Sequence, residues 1–448
     1  MCEAVWGVER ELGLLDWRID GVAIWPVVRM RVFHDLTRRS GLLGDPHPVR
    51  RTRSAKLRLM GRHLVALVRH NPFLRRRRYD AVVVPHHRKL GGVEIYSDQL
   101  RSELGERALV LDSNINGTAL RGADTLDFFT SYAGVRGRLR ERLRGPGSAL
   151  SAADRERVTA VQDALEKRTG LRVPLVGLVG RELSKHLLLR RIHRTLLRRR
   201  GVRTVYVVVA YFHQHLVAAA RDLGLRVVEL QHGTITPYHL GYSYPGRPVV
   251  ADQPDELWTF GPYWAETVDL PASMTSRVIG APFVRRLTDG EARAKDPRLA
   301  VFVSQGTIGR ELLPVATKLA ELRPELSVVF RLHPSEHRSD YAAPVAAGPA
   351  NLRLSGGRGD VAAETTYELM AAATYLIGVS TTALFEGMVL GCRTVVVDLA
   401  GAEYMAPAVD RGDALRVSDA TELARRLDVA PLCAHTDAYY APAPDRLL

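Results

Sequence analysis

Residues 375–399 read YLIGVSTTALFEGMVLGCRTVVVDL, and their order of residue types is that of strand, turn, helix and strand. Tyr375 to Val379 is a short apolar run, as a strand buried on both faces requires. Ser380, Thr381 and Thr382 follow, and hydroxyl side chains suit a helix N-cap. Ala383 to Leu390 continues with good helix formers and Gly391 ends them. Thr394 to Leu399 is the next apolar strand. The start of such a helix offers unpaired N–H groups and the positive end of its dipole, which together favour a phosphate. Glu386, one turn further in, is placed to reach a sugar hydroxyl beside that phosphate. An ordinary βαβ unit of a core has the same pattern, so the rest of the chain must decide.

The same alternation recurs on both sides. Asp80–Val84, Ala108–Leu111, Val205–Tyr211, Arg226–Leu230, Glu256–Phe260 and Arg277–Ile279 are candidate strands with helices between them. Residues 134–200 read as mostly helical, with a break at GPGS (145–148). After a polar stretch, VRRLTDGEARAKDPR (284–298), the alternation restarts at Leu299–Val303 and Leu326–Leu332. Strands alternating with helices imply parallel, doubly wound sheets. The expected fold is α/β: two Rossmann-like domains facing a cleft, with helical N-terminal additions. The expected division is 1–283 for an acceptor-side domain, 284–298 for a linker and 299–448 for a nucleotide-binding domain.

The chain has 448 residues, enough for two or three domains with a large core. No apolar run approaches the ~20 residues of a membrane helix. Its first residues lack the basic region of a signal peptide. Cys2, Cys392 and Cys433 are scattered and suggest neither a disulfide framework nor a metal site. These features predict a cytoplasmic protein. The net charge of +14 is confined: residues 50–78 carry eleven Lys/Arg and no acid, and 181–203 carry nine and one acid. Without these segments 43 basic residues face 48 acidic ones. Both segments read as amphipathic helices, with Leu57, Leu64, Leu67 and Val68 in one and Leu188, Ile192 and Leu196 in the other. Such helices suit an anionic membrane surface, here the inner face, or are solvated faces with snorkelling arginines. The basicity is not interleaved with aromatic residues, which argues against a non-catalytic nucleic-acid-binding protein.

Four loops follow strand ends, where open α/β sheets bind ligands. The first is Gln231-His232-Gly233-Thr234. Gly233 permits close backbone approach. His232 can donate to a phosphate or move a proton, or be a buried structural histidine. The second is Ser304-Gln305-Gly306-Thr307, an N–H cradle for an anion that matches neither a Walker loop nor a GxGxxG fingerprint. The third is His333-Pro334, where proline fixes the backbone. The fourth is Ser380-Thr381-Thr382 with Glu386.

The order QHG, then an HP dipeptide, then a Ser/Thr pair opening the last αβ unit resembles bacterial capsule and cell-wall polymer transferases of the GT-B fold. These include polysialyltransferases, capsule Kdo transferases and CDP-glycerol glycerophosphotransferases. The likeness runs over most of 205–400 and more loosely over 80–130. It implies that His333, Ser380 and Thr381 contact the phosphates of a nucleotide donor. Glu386 with Gly391 resembles a ribose-binding Glu-x4-Gly-x-Pro, except that Arg393 stands where proline would. The acidic motif that carries the base in polysialyltransferases has no counterpart in a suitable place. Asp289-Gly290 lies in the linker and Asp20-Gly21 in a candidate helix.

The resemblance implies a metal-independent, inverting transfer of a sugar from a cytidine- or uridine-activated donor to a polysaccharide or lipid-linked acceptor, with no cofactor. A glycerophosphotransferase or a sugar-nucleotide epimerase of the same fold are the alternatives. The donor set is Gln231, Gly233, Ser304, Gly306, Thr307, His333, Pro334, Ser380, Thr381, Thr382 and Glu386. For the base, the loop PHHRKLGGVEIYSDQ offers Glu94 and Asp98, the latter also suited to an N-cap, and His232 is the competitor.

Overall fold

Short β-branched runs bounded by turn residues build both halves of the molecule. In a computed structural model that describes residues 1–41, 52–90, 93–113, 119–284, 294–360 and 364–448, twelve strands form two parallel sheets of six. The first holds β1 (Ala81–Val84), β2 (Ala108–Val110), β3 (Thr204–Val207), β4 (Arg226–Leu230), β5 (Glu256–Thr259) and β6 (Thr275–Val278), in the spatial order β6-β5-β4-β3-β1-β2. The second holds β7 (Asp296–Val303), β8 (Ser327–His337), β9 (Leu352–Arg358), β10 (Ala373–Gly378), β11 (Arg393–Val397) and β12 (Leu415–Val417), in the order β9-β8-β7-β10-β11-β12. All the pairings within both are parallel. Strand order reverses between β1 and β3 in one sheet and between β7 and β10 in the other. Those are the places where an open α/β sheet leaves a crevice at its carboxyl end.

The central strands are apolar on both faces because helices cover both. Val82, Val83, Val205, Val301, Phe302 and Ile377 have no exposed surface. Each such side chain contributes roughly 1.5–3 kcal/mol of transfer free energy. The buried cluster runs without a break from Ala81 and Tyr206 of the first sheet to Val396 and Tyr440. Trp264 packs against Phe385 with ring centroids 4.8 Å apart, so the two halves share a core.

Eight helices in the first half matter here: α1 (Cys2–Glu11), α2 (Ile24–Ser40), α3 (Arg53–Arg69), α4 (Asp98–Leu104), α5 (Asp127–Arg144), α6 (Ala152–Thr169), α7 (Leu175–Arg200) and α8 (Gln214–Arg221). Asp20-Gly21 is not helical: both have positive φ, 49° and 76°, in the turn of a hairpin that precedes α2. The break at 145–148 lies between α5 and α6, as expected. Residues 285–293, the larger part of the expected linker, with Asp289 and Gly290, lie outside the described residues.

The two basic segments, alike in composition, differ in their packing. α7 buries Leu183, His186, Leu189, His193, Leu196 and Arg200 at helical spacing and is a central element. Its cations are largely engaged: Arg181 with Glu141 at 2.8 Å, Arg190 with Asp222 at 2.5 Å, and Arg200 with the Phe73 carbonyl at 2.8 Å. α3 instead exposes Met60, Leu64, Val65 and Val68.

The last residues of the expected 299–448 unit also make contacts outside it. After Tyr439 the chain returns to the first half. The Ala441 amide donates to the Phe260 carbonyl at 2.9 Å, and the Leu447 amide donates to Glu103 at 2.8 Å. Glycines make room for this strap. A Cβ on Gly261 would stand 2.2 Å from the Ala438 carbonyl, and one on Gly280 would stand 2.5 Å from Ala443.

Candidate active site

The carboxyl ends of the two sheets face each other. A Cβ on Gly233, in the loop after β4, would stand 3.4 Å from the Thr382 hydroxyl of the second half. Arg88, in the loop after β1, reaches Glu386 at 3.3 Å and the Tyr367 hydroxyl at 2.9 Å, and donates to Tyr96 at 2.8 Å. Arg88 was not singled out from the sequence. Its partner lies 298 residues away, and its only local signal was its position at a strand end.

The second half carries α9 (Gly309–Leu322) and α10 (Thr366–Ala372), and its loop after β10 leads into α11 (Thr382–Val389). Thr381 caps it, accepting from the Ala383 amide at 3.4 Å. Gln305 ties this loop to the loop after β7. Its amide donates to the Ser380 carbonyl at 3.0 Å and hydroxyl at 3.1 Å, and its carbonyl accepts from the Ser380 amide at 2.9 Å. Gly306 has φ +79°, and a Cβ there would stand 2.5 Å from the Ser335 hydroxyl and 3.1 Å from His333 Nδ1. Only glycine fits so tight a turn at that backbone angle. Thr307 follows in the turn before α9.

β8 does not end at Leu332. It runs through His333-Pro334 to His337, with a register shift between Leu332 and His337. The cause is Glu336, which is buried and accepts from the His333 amide at 2.6 Å, the Ser304 hydroxyl at 2.9 Å and the Tyr341 hydroxyl at 2.5 Å. The Ser304 hydroxyl is therefore engaged in holding the loop. The Ser335 amide donates to His333 Nδ1 at 3.1 Å, which leaves the proton of the neutral ring on Nε2. His333, in the far part of β8, is thus held beside Gly306, Ser380 and Thr381 on the loops after β7 and β10.

Gln231 is almost fully buried. It donates to the Gly233 carbonyl at 2.8 Å and accepts from the Phe260 amide at 2.8 Å, so it shapes the loop that carries His232. Glu386 is also buried, and burial raises its pKa while Arg88 lowers it. Its carboxylate is held by Arg88 and Tyr367, so a ribose at this point meets an occupied group.

The three candidate bases separate. Glu94 has no exposed surface. It accepts from the Tyr96 amide at 3.0 Å, the Ser97 amide at 2.9 Å and the Ser97 hydroxyl, and burial raises its pKa. It fixes the entry to α4. Asp98 is the first residue of α4, behind the N-cap Ser97, and pairs with Arg101 at 3.0 Å. His232 alone lines a cavity, at the carboxyl end of the first sheet. That cavity, about 330 Å³, is lined by His86, His87, Asp112, Asp127, Lys185, His213, His215 and His232 among others. His86 and His232 stand 5.3 Å apart, ring to ring. Burial, then neighbouring histidines, pushes both down to about 3, so both are neutral. His232 Nδ1 is buried without a hydrogen-bond partner. Asp112, with its pKa raised by burial, is a carboxylate that sequence reasoning missed. Among the described residues no three His, Cys, Asp or Glu side chains are grouped to hold a metal ion, and no helix is long and apolar enough to cross a membrane.

No protein-family model and no curated protein matches the chain. Solved structures align over most of its length at low identity. MurG of Acinetobacter baumannii is 14% identical with a TM-score of 0.44, covering 81% of this chain and 94% of its own. CalG4, the calicheamicin glycosyltransferase, is 14% identical with a TM-score of 0.45, covering 81% and 92%. A putative UDP-N-acetylglucosamine 2-epimerase from Listeria monocytogenes is 11% identical with a TM-score of 0.46, covering 82% and 92%.

Proposed function

We propose that the protein is a glycosyltransferase that moves a sugar from a nucleotide-activated donor to an acceptor hydroxyl. The observation that carries this reading is the pairing across the cleft of two unlike chemistries. One side presents a capped helix start, a glycine turn and a histidine with Nε2–H outward. The other presents neutral histidines in a cavity large enough for an acceptor. The donor phosphates belong at Gly306, His333, Ser380 and Thr381, where N–H groups and the helix dipole stabilise a departing anion. Arg88 adds positive charge from the opposite wall.

In the transfer, the acceptor oxygen bonds to the anomeric carbon. The bond from that carbon to the phosphate oxygen breaks, and the nucleotide leaves with the electron pair. His232 takes the acceptor proton. Its pKa in the empty site is too low for an efficient base, and a bound diphosphate raises it toward neutrality. A surface polysaccharide or lipid-linked acceptor and a cytoplasmic, membrane-peripheral location belong to the same proposal.

Thermal shift with CMP, CDP, UDP and GDP tests the donor half. A nucleotide at 100 times its Kd adds about 2.7 kcal/mol of stability. His333→Ala removes on the order of 1.5–3 kcal/mol of that binding. His232→Asn leaves the shift intact and lowers kcat about 10²-fold or more. If none of the four nucleotides raises the melting temperature, the reading fails.

A further inference from the structure

A larger cavity lies beside the one that His232 lines. It is an apolar groove of about 830 Å³ between α3, α5 and α7, lined by Leu59, Met60, Phe128, Tyr132, Val135 and their neighbours. Its size is that of sites for drug-sized ligands, roughly 300–1,000 Å³. Of the four cations that line it with Glu182, Arg181 is paired with Glu141 at 2.8 Å and Arg31 with Glu182 at 3.4 Å; Arg138 and Lys185 are the others. The apolar character continues outward. Tyr132, Val135, Leu139 and Leu143 form an exposed stripe along α5 at spacings of three and four residues, and Met60, Leu64 and Val68 form one along α3. These residues are one helical face each, left uncovered.

The groove borders the cavity that His232 lines. Thr130 and Lys185 line both, and a small hollow lined by Arg31, Glu182, Lys185, Phe212 and His215 lies between them. Lys185 stands at the junction. Its nearest carboxylate, Glu182, is 4.0 Å away, and burial lowers its pKa. An ammonium so poorly neutralised and partly desolvated is a site for an anion. The lining therefore passes from apolar groove to this cation and then to His215 and His232.

We propose that this groove binds the apolar chain of an anionic amphiphile, with its phosphate at Lys185 and its hydroxyl-bearing end directed toward His232. The occupant is the carrier lipid of the acceptor, so this inference rests on the transferase reading above. A bilayer surface matches the exposed stripes but does not enter a groove that borders the cavity of His232.

Calorimetric titration with dodecyl phosphate below its micellar concentration tests this on the intact chain. Inorganic phosphate supplies the head alone and dodecanol the chain alone. Wild-type protein binds dodecyl phosphate at least about ten-fold more tightly than either. Val135→Asp, at a position 54% exposed and so harmless to folding, weakens dodecyl phosphate about ten-fold or more. Lys185→Gln weakens dodecyl phosphate about ten-fold and leaves dodecanol unchanged. Equal affinity in wild type and Val135→Asp overturns the proposal. So does binding to vesicles of phosphatidylglycerol and phosphatidylcholine without binding of monomeric dodecyl phosphate, which assigns a bilayer-docking face instead. A UDP thermal shift on the same proteins keeps the two readings apart. Loss of the nucleotide effect in wild type, with dodecyl phosphate still bound in the groove, removes the transferase and leaves the lipid site standing.

Discussion

The two sheets follow one plan and prepare their crevices in opposite ways. In the second half, short polar contacts fix the loops after β7 and β10 and the far part of β8: Gln305 on Ser380, Glu336 on Ser304, His333 and Tyr341. In the first half, the crevice is lined by imidazoles that burial keeps uncharged. His86 and His232 are pushed down to about 3, and His186, His193, His213 and His239 to about 4. One side is arranged to receive charge. The other withholds charge until something negative enters. The difference teaches that preorganisation can be supplied by fixed dipoles or by desolvated neutral bases, and the two have opposite responses to pH.

That opposition gives the largest expected effect. A buried histidine with a depressed native pKa binds no proton in the native state while its unfolded form titrates near 6.5. Its contribution is full above that value and is lost as pH falls. The loss is about 1.4 kcal/mol per pH unit for each histidine that stays neutral. Six such groups make the first half acid-labile between about pH 6.5 and 4. Hydrogen exchange at pH 7 and pH 5 should show β1, β3 and β4 losing protection before β7, β8 and β10. Simultaneous loss in both sheets breaks the contrast.

Glu229 sharpens it from the other side. This buried β4 carboxylate accepts from the Ala210 amide at 2.9 Å and the Tyr242 hydroxyl at 2.8 Å, and burial pushes its pKa up to about 7. The native state therefore holds a proton that the unfolded state releases near 4.5. The stability it gives is present below that pH and is lost as pH rises through 7, at about 1.4 kcal/mol per unit. Denaturant melts of Glu229→Gln from pH 5 to 8 should lack this alkaline decline. An unchanged slope removes Glu229 from the account.

The smallest expected effect tests the rigid side. Gly306→Ala forces a side chain into a positive-φ turn against Ser335 and His333. The expected cost is about 1–3 kcal/mol. Nucleotide affinity should fall with it while the exchange protection of the first half stays as in wild type. Undiminished nucleotide binding shows that the loops are less fixed than their contacts imply.

What was legible in the sequence was local. The stretch 375–399 reads correctly because an apolar run, a hydroxyl cap and a stop glycine are all adjacent in the chain. The end of β10, and so the Ser380 loop, follows from the same logic. What was not legible depends on distant partners. Glu94 reads as an available carboxylate until Tyr96 and Ser97 fold their amides back on it. Arg88 gains its meaning only from Glu386, and β8 extends past Leu332 only because Glu336 collects three donors. The two basic segments share a composition, and only packing distinguishes the buried helix from the exposed one. α5, whose arginines are interleaved with an exposed apolar stripe, was read simply as part of a helical region.

The strap that follows Tyr439 has a mechanical meaning. The polypeptide passes from the first half to the second ahead of β7 and comes back over Gly261 and Gly280, so the chain itself crosses the seam twice. Between the crossings lie the shared core at Trp264 and Phe385 and the bond from Arg88 to Glu386. The strap thus acts as a stitch at the edge of a seam already glued, and severing the last residues would unpick that edge first.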